Sequence, residues 1–259
     1  MSRIVVKVGT STLTYANGSL NIRHIEKLVK VLSDLKNAGN EIVLVSSGAI
    51  AMGIGKLGLA QRPKDMASKQ AAAAVGQCEL MYTYDRLFEA YNHIVAQVLL
   101  TGEDLNEASR RKNFENTMNR LLQMSAMPIL NENDTMATDE ISSIGDNDSL
   151  AALVSIAIHA DLLILMSDID GLYDSNPRVN PDAKLIPVVL EITDEIRSIA
   201  GGAGTPNGTG GMLTKLHAAE LCMDHGIDMV ILNGAFPDLL YDAIEHRTAG
   251  TRFPGRKDL

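Results

Sequence analysis

Apolar residues gather in short β-rich runs at residues 3–8, 41–45, 94–99, 127–130, 162–166 and 229–232. Each run closes on glycine or a polar turn and gives way to helical spacing. Alternation of this kind predicts a parallel sheet covered by helices on both faces. Between the first two runs, Ile22, Ile25, Leu28, Val29, Leu32 and Leu35 fall on one stripe. Residues 22–38 are therefore expected to form an amphipathic helix, with Asn21 as its N-cap and Gly39 as its stop. A second long helix is expected over the alanine-rich residues 67–91, where Met81, Leu87 and Phe88 keep helical spacing, covering the sheet or meeting a partner subunit. No repeat or Pro-rich linker divides the chain, but a change of chemistry near Asp161 marks the expected start of a second lobe.

Ligands of open parallel sheets collect beyond the carboxyl ends of the strands, so the polar motifs that follow the runs are expected to converge. Lys7 opens such a motif in Lys-Val-Gly-Thr-Ser, and Lys215 closes another in Gly-Thr-Gly-Gly-Met-Leu-Thr-Lys. Glycine turns let backbone N–H groups approach anionic oxygens closely, and a lysine adds a mobile positive charge, so the pair suggests a phosphate site. Neither loop has P-loop spacing. Lys7 is flanked by Val6 and Val8 at a strand end, where a buried ammonium group needs a partner.

Ser46-Ser47-Gly48-Ala49 leads into a helix whose first N–H groups can hold a carboxylate or phosphate, or simply form an N-cap. Asn131-Glu-Asn-Asp134-Thr and Gly145-Asp-Asn147-Asp148-Ser149, with an apolar helix expected from Leu150, concentrate carboxylates and amides suited to a zwitterion. Asx-turns and an N-cap at Asp148 or Ser149 account for the second cluster equally well. Asp168-Ile-Asp-Gly171 reads as a strand-end turn or an ion motif.

Other chemistries are disfavoured. The Gly53-Ile-Gly-Lys-Leu-Gly58 string has dinucleotide-fingerprint letters but lies well past its strand and runs toward Arg62-Pro63, so it reads as chance or a flexible loop. The calcium ladder of Asp and Glu is missing. None of the 6 histidines forms a zinc motif, and no Gly-x-Ser-x-Gly is present. Cys78 and Cys222 lack a paired spacing and are expected to be buried or idle in a reducing setting. A net charge of -9 argues against nucleic acid as the main partner, and the short basic tail at 252–257 is expected to be solvated. With neither a leader-like start nor a long apolar stretch, the chain is expected to be a soluble cytoplasmic protein without a membrane contact.

Taken in order, the Lys7, Ser46–Ile50, Ser68-Lys-Gln70, Ala74-Val-Gly-Gln77, Asn131–Asp134, Gly145–Asp148, Ser167-Asp168, Gly171-Leu-Tyr173 and Gly208–Lys215 motifs resemble the glutamate 5-kinase branch of the amino-acid kinase family. The resemblance spans nearly the whole chain. It implies a three-layer αβα sandwich with a mostly parallel sheet, in which lobe 1–160 takes glutamate and lobe 161–259 takes ATP with Mg2+. By position, Ser47, Asp134 and Asn147 resemble the glutamate-binding residues. Lys7, Ser167, Asp168 and the loop of Thr209, Gly210, Gly211, Met212, Leu213, Thr214 and Lys215 resemble the nucleotide site. Asp148 resembles the organising aspartate that orients Lys7 and Lys215, and those three are the expected catalytic residues, with no protein metal ligand assigned.

The implied reaction forms γ-glutamyl phosphate on the way to proline. A homo-oligomer and contact with the next enzyme of that pathway are further expectations of the resemblance. Many members carry a PUA domain beyond the kinase, and none is expected within these 259 residues. A γ-carboxylate with a pKa near ~4.3 is ionised at neutral pH, so no catalytic base is required. Another acceptor on the same fold, or an amino-acid-binding regulator without transfer activity, are the competing readings.

Overall fold

The computed structural model describes residues 1–15, 17–136, 146–177, 179–200 and 211–256. Seven strands among the described residues form one sheet: β1 (Arg3–Val8), β2 (Glu41–Ser46), β3 (Val95–Leu100), β4 (Met127–Glu132), β5 (Leu162–Ser167), β6 (Asp228–Asn233) and β7 (Thr251–Phe253). Their order across the sheet is β3-β4-β2-β1-β5-β6-β7. All neighbours are parallel except the antiparallel β6–β7 pair at one edge. The six expected strands are present, each within one or two residues of its expected bounds. The sheet runs unbroken through the position near Asp161 where a second lobe was expected to begin.

Helices cover both faces. In chain order they are α1 (Thr10–Leu13), α2 (Ile22–Asn37), α3 (Ala49–Leu57), α4 (Met66–Glu89), α5 (Gly102–Asn106), α6 (Ala108–Gln123), α7 (Asn147–Ala157), α8 (Asp194–Ala200), α9 (Met212–Asp224) and α10 (Leu239–Ile244). Strand side chains alternate between the faces with period two. Ile4, Val6, Val8, Ile42 and Leu44 pack with α2, α4 and α10 residues such as Leu28, Leu80 and Leu240. Val5, Val43, Val45, Leu163 and Leu165 pack with α6, α7 and α9 residues such as Met118, Leu150 and Leu216. These are the three layers expected from the sequence.

The same alternation aims the polar strand ends. Lys7 shares the parity of Val5 and faces α7 and α9, whereas Ser46 shares that of Leu44 and faces α4. Asn21 caps α2 by accepting from the His24 amide, and Gly39 follows the helix with φ +94°. Ile22, placed on the apolar stripe by spacing, is 60% exposed in the first turn, ahead of the region where α2 meets the sheet.

Three local expectations are corrected. Gly53 and Gly55 lie inside α3 and not in a flexible loop. A Cβ on Gly53 would sit 1.8 Å from the Ala72 carbonyl oxygen, and one on Gly76 would sit 1.8 Å from that of Ala49, so glycine lets α3 and α4 cross backbone to backbone. The start of the 252–257 tail is not solvated: Thr251 and Phe253 are buried in β7 and Arg252 pairs with Asp228 at 2.9 Å, whereas Arg256 is exposed and Lys257 lies outside the described residues. Finally, α7 begins at Asn147 and not Leu150, capped by Asp146, whose Oδ1 accepts from the Asp148 and Ser149 amides at 2.7 and 3.0 Å.

Candidate active site

The end of β1 places Lys7 beneath the first turn of α7, and the first turn of α9 brings Lys215 to the same point. Lys7 Nζ lies 2.6 Å from Asp148 Oδ1, and Lys215 Nζ donates to Asp148 Oδ2 at 2.9 Å. Asp148 is 2% exposed and the two lysines 9% and 7%. Burial alone would raise the Asp148 carboxyl, but the charges of Lys7 and Lys215, together with their hydrogen bonds, outweigh it and hold the group at about 2. One carboxylate between two ammonium groups leaves a surplus positive charge in a dry setting, which is an environment for phosphate.

Thr214 Oγ1 donates to the Gly211 carbonyl at 2.8 Å and lies 3.4 Å from Asp148 Oδ2, which ties the start of α9 to the triad. Among the described residues no side chain caps α9 at Gly211. Met212 packs against the core and Leu213 is 52% exposed. Ser167 ends β5 next to β1, and its hydroxyl donates to Asp168 at 3.3 Å. Thr209 and Gly210 lie outside the described residues.

A second group of residues gathers beside the first, at the ends of β2 and β4. Asn147 Nδ2 donates to Ser47 Oγ at 2.7 Å and to Asn131 Oδ1 at 3.0 Å. Gly48 has φ +107°, a left-handed conformation that suits glycine, and it turns the chain from Ser47 into α3, whose first turn no side chain caps. Nearby, burial raises the Asp134 carboxyl to about 6, opposed only by the charge of Arg62. Burial also raises Glu132, as do the charges of Asp134 and Asp146, and Glu132 Oε1 is a buried oxygen without a hydrogen-bond partner among the described residues. Carboxylates crowded in this way gain from a bound cation.

The structure thus brings Lys7, Asp148 and Lys215 together, joins Ser47 to Asn147, and sets Asp134 among carboxylates at the same end of the sheet. Asn131 and Gln77 belong to the Ser47–Asn147 network but were not among the expected site residues. Their motifs were visible in the chain, whereas the contact between them is tertiary. Of the two cysteines, Cys78, which follows Gln77, is exposed, and Cys222 is buried with its thiol pushed up to about 12.

Residues 2–233 match the amino acid kinase family. The chain belongs to that family. Glutamate 5-kinase of Clostridium perfringens (strain 13 / Type A) is 54% identical over 258 residues, covering 98% of this chain and 96% of that protein. Glutamate 5-kinase of Caldanaerobacter subterraneus subsp. tengcongensis is 51% identical over 251 residues, covering 97% of this chain and 67% of that protein. Among solved structures, carbamate kinase from Giardia lamblia bound to AMP-PNP superposes with a TM-score of 0.70 at 14% identity, over 98% of this chain and 99% of that one. At that identity the superposition speaks for the αβα fold, which it supports over nearly the full length. Among the described residues no helix is long and apolar enough to cross a membrane.

Proposed function

We infer that this chain transfers the γ-phosphoryl group of ATP to the γ-carboxylate of L-glutamate, giving γ-glutamyl phosphate and ADP in the first step of proline biosynthesis. The observation that carries this reading is the change of chemistry within the first turn of α7. Asn147 turns to the amide and carboxylate pocket, while Asp148, the next residue, holds both buried lysines. One site is suited to a zwitterion and the other to a polyanion, and two consecutive residues of α7 join them. The similarity to glutamate 5-kinases over nearly the whole chain supports glutamate as the zwitterion.

In this reading the substrate ammonium group meets Asp134, with Glu132 adding to the field, and its α-carboxylate meets the Ser47 hydroxyl and the uncapped start of α3. The γ-carboxylate then points toward Lys7. Lys7 and Lys215 flank the transferring phosphoryl group and neutralise charge on its equatorial oxygens as the anionic nucleophile approaches in line. A carboxylate oxygen forms the new P–O bond while the bond to the ADP oxygen breaks, and no proton has to move. Asp148 keeps the two ammonium groups from drifting apart or pairing with solvent. Ser167, Asp168 and the turn leading to Lys215 hold the nucleotide. The amino-terminal lobe, 1–160, serves glutamate and the carboxyl-terminal lobe, 161–259, serves ATP.

Among the described residues no three His, Cys, Asp or Glu side chains converge as a metal cage, and both Asp148 oxygens are next to ammonium groups. That donor set fits a magnesium ion that would be carried by the triphosphate, with phosphate oxygens and water as most of its ligands and Asp168 as a carboxylate that could add to them. When bound, magnesium neutralises phosphate charge.

The test is ADP release by the purified protein with ATP, magnesium and one acceptor at a time. Release that depends on L-glutamate, and not on aspartate, N-acetylglutamate, carbamate or UMP, is expected. Release with another acceptor only would reassign the substrate, and glutamate binding without release would point to a regulator.

A further inference from the structure

We propose that Gln77, on α4, is a positioning residue for the amino-acid substrate, acting through Asn131 to set which polar atoms of Ser47 and Asn147 face the ligand. The proposal rests on the glutamate-site reading above and extends it to a residue that touches neither substrate.

The direction of the hydrogen bonds carries the inference. Asn131 is 3% exposed and its Nδ2 donates to Gln77 Oε1 at 2.9 Å. Its Oδ1 accepts twice, from the Glu132 amide at 3.0 Å and from Asn147 Nδ2 at 3.0 Å. The other Asn147 Nδ2 hydrogen goes to Ser47 Oγ at 2.7 Å. A carboxamide nitrogen has two hydrogens, so Asn147 has committed both and presents its carbonyl oxygen as an acceptor. Ser47 receives a hydrogen bond, so its own O–H remains the donor. An acceptor and a donor side by side match an ammonium group and a carboxylate on one α-carbon.

Gln77 anchors this chain of bonds from the far side of the sheet end. Without an acceptor at residue 77, the buried Asn131 amide loses the partner that fixes its plane, and Asn147 loses a fixed acceptor. Two features explain why Gln77 can reach. Asn131 shares the strand parity of Met127 and Ile129, which pack on the α4 side of the sheet. Gly76, the neighbour of Gln77, is where α4 meets the α3 backbone just after Ser47-Gly48. The helix crossing therefore sets the distance between Gln77 and the loop that begins the substrate pocket.

The experiment compares wild type with Gln77→Met, which keeps length and helix propensity but cannot accept as strongly, and Gln77→Glu, which keeps an acceptor oxygen. KM for glutamate and for ATP, kcat and thermal midpoint are measured for each. Gln77→Met is expected to raise the glutamate KM roughly tenfold while leaving ATP KM unchanged, and to lower the thermal midpoint by a few degrees because the buried Asn131 amide is left without its acceptor. Gln77→Glu recovers most of that loss. In an Asn131→Ala background, Gln77→Met has no further effect on glutamate KM, since the two act as one unit. An unchanged glutamate KM in Gln77→Met, an equal rise in both KM values, or full additivity with Asn131→Ala overturns the proposal. Wild-type protein without glutamate-dependent turnover overturns the parent reading instead.

Discussion

Replacing Asp148 with Asn keeps the side-chain shape and removes the one negative charge between Lys7 and Lys215. The Asp148 carboxyl ordinarily titrates at 3.8 and is held at about 2 in the folded protein, so its ionisation favours folding by about 2 kcal/mol above pH 4. The group is 2% exposed, so solvent screening removes little of this. Removal also strands two buried ammonium groups, and breaking a buried ion pair costs about 3–5 kcal/mol. A loss between those figures, about 3 kcal/mol, corresponds to a fall in melting temperature of about 6–12 °C for a chain of this size.

The sign of the pH dependence gives a second check. A depressed carboxyl stabilises above its unfolded pKa and loses that contribution as pH falls toward its folded value. The stability gap between wild type and Asp148→Asn should therefore narrow between pH 4 and pH 2. Turnover should fall roughly a hundredfold to a thousandfold as the lysines lose their fixed positions. Thermal and urea denaturation with steady-state kinetics on one preparation provide the assay. An Asp148→Asn protein with wild-type melting temperature and kcat would refute the triad argument.

Further outcomes follow from the same geometry. Lys7→Ala and Lys215→Ala should each lower kcat by about 3–4 kcal/mol in barrier terms, a hundredfold to a thousandfold, in the same ADP assay; near-normal turnover would remove that lysine from the chemistry. Asp134, raised to about 6 by burial, must be ionised to hold an ammonium group, so glutamate KM should rise as pH falls below about 6 while ATP KM stays level; Asp134→Asn should show a high glutamate KM without that pH dependence. Gly76→Ala should destabilise the fold by about 3 kcal/mol in urea titration, because its Cβ meets the Ala49 carbonyl at 1.8 Å and α3 and α4 must separate.

Strands were the most legible elements because β1, β2, β5 and β6 are nearly continuous apolar runs, as expected for strands covered on both faces. β7 escaped notice because three residues between Gly250 and Pro254 carry no readable period, and Arg252 looked like a tail residue until Asp228 was seen beside it. The glycines of α3 were misplaced for a related reason. Gly53 and Gly55 look like loop residues in sequence, and only the crossing with α4 shows what the missing side chains allow.

In the site, Lys7 was legible because a lysine between two valines at a strand end needs a partner, and Asp148 is that partner at 2.6 Å. Gln77 was not. Its Ala74-Val-Gly-Gln77 motif was visible, but no role for the glutamine was, because its relation to Asn131 exists only once α4 lies across the end of β4. The N-cap of α7 likewise moved from Asp148 or Ser149 to Asp146, because Asp148 is drawn inward by two lysines and cannot also cap.

The most direct test of the central claim uses L-glutamate carrying heavy oxygen in its γ-carboxylate, with ATP, magnesium and hydroxylamine. Attack by the carboxylate makes its oxygen the bridge in the acyl phosphate, and hydroxylamine then expels phosphate from the carbonyl carbon. The account predicts γ-glutamyl hydroxamate and ADP in equal amounts, with one heavy oxygen in each phosphate released. Glutamate-stimulated ADP release with unlabelled phosphate and no hydroxamate would mean that water is the nucleophile and would contradict the account.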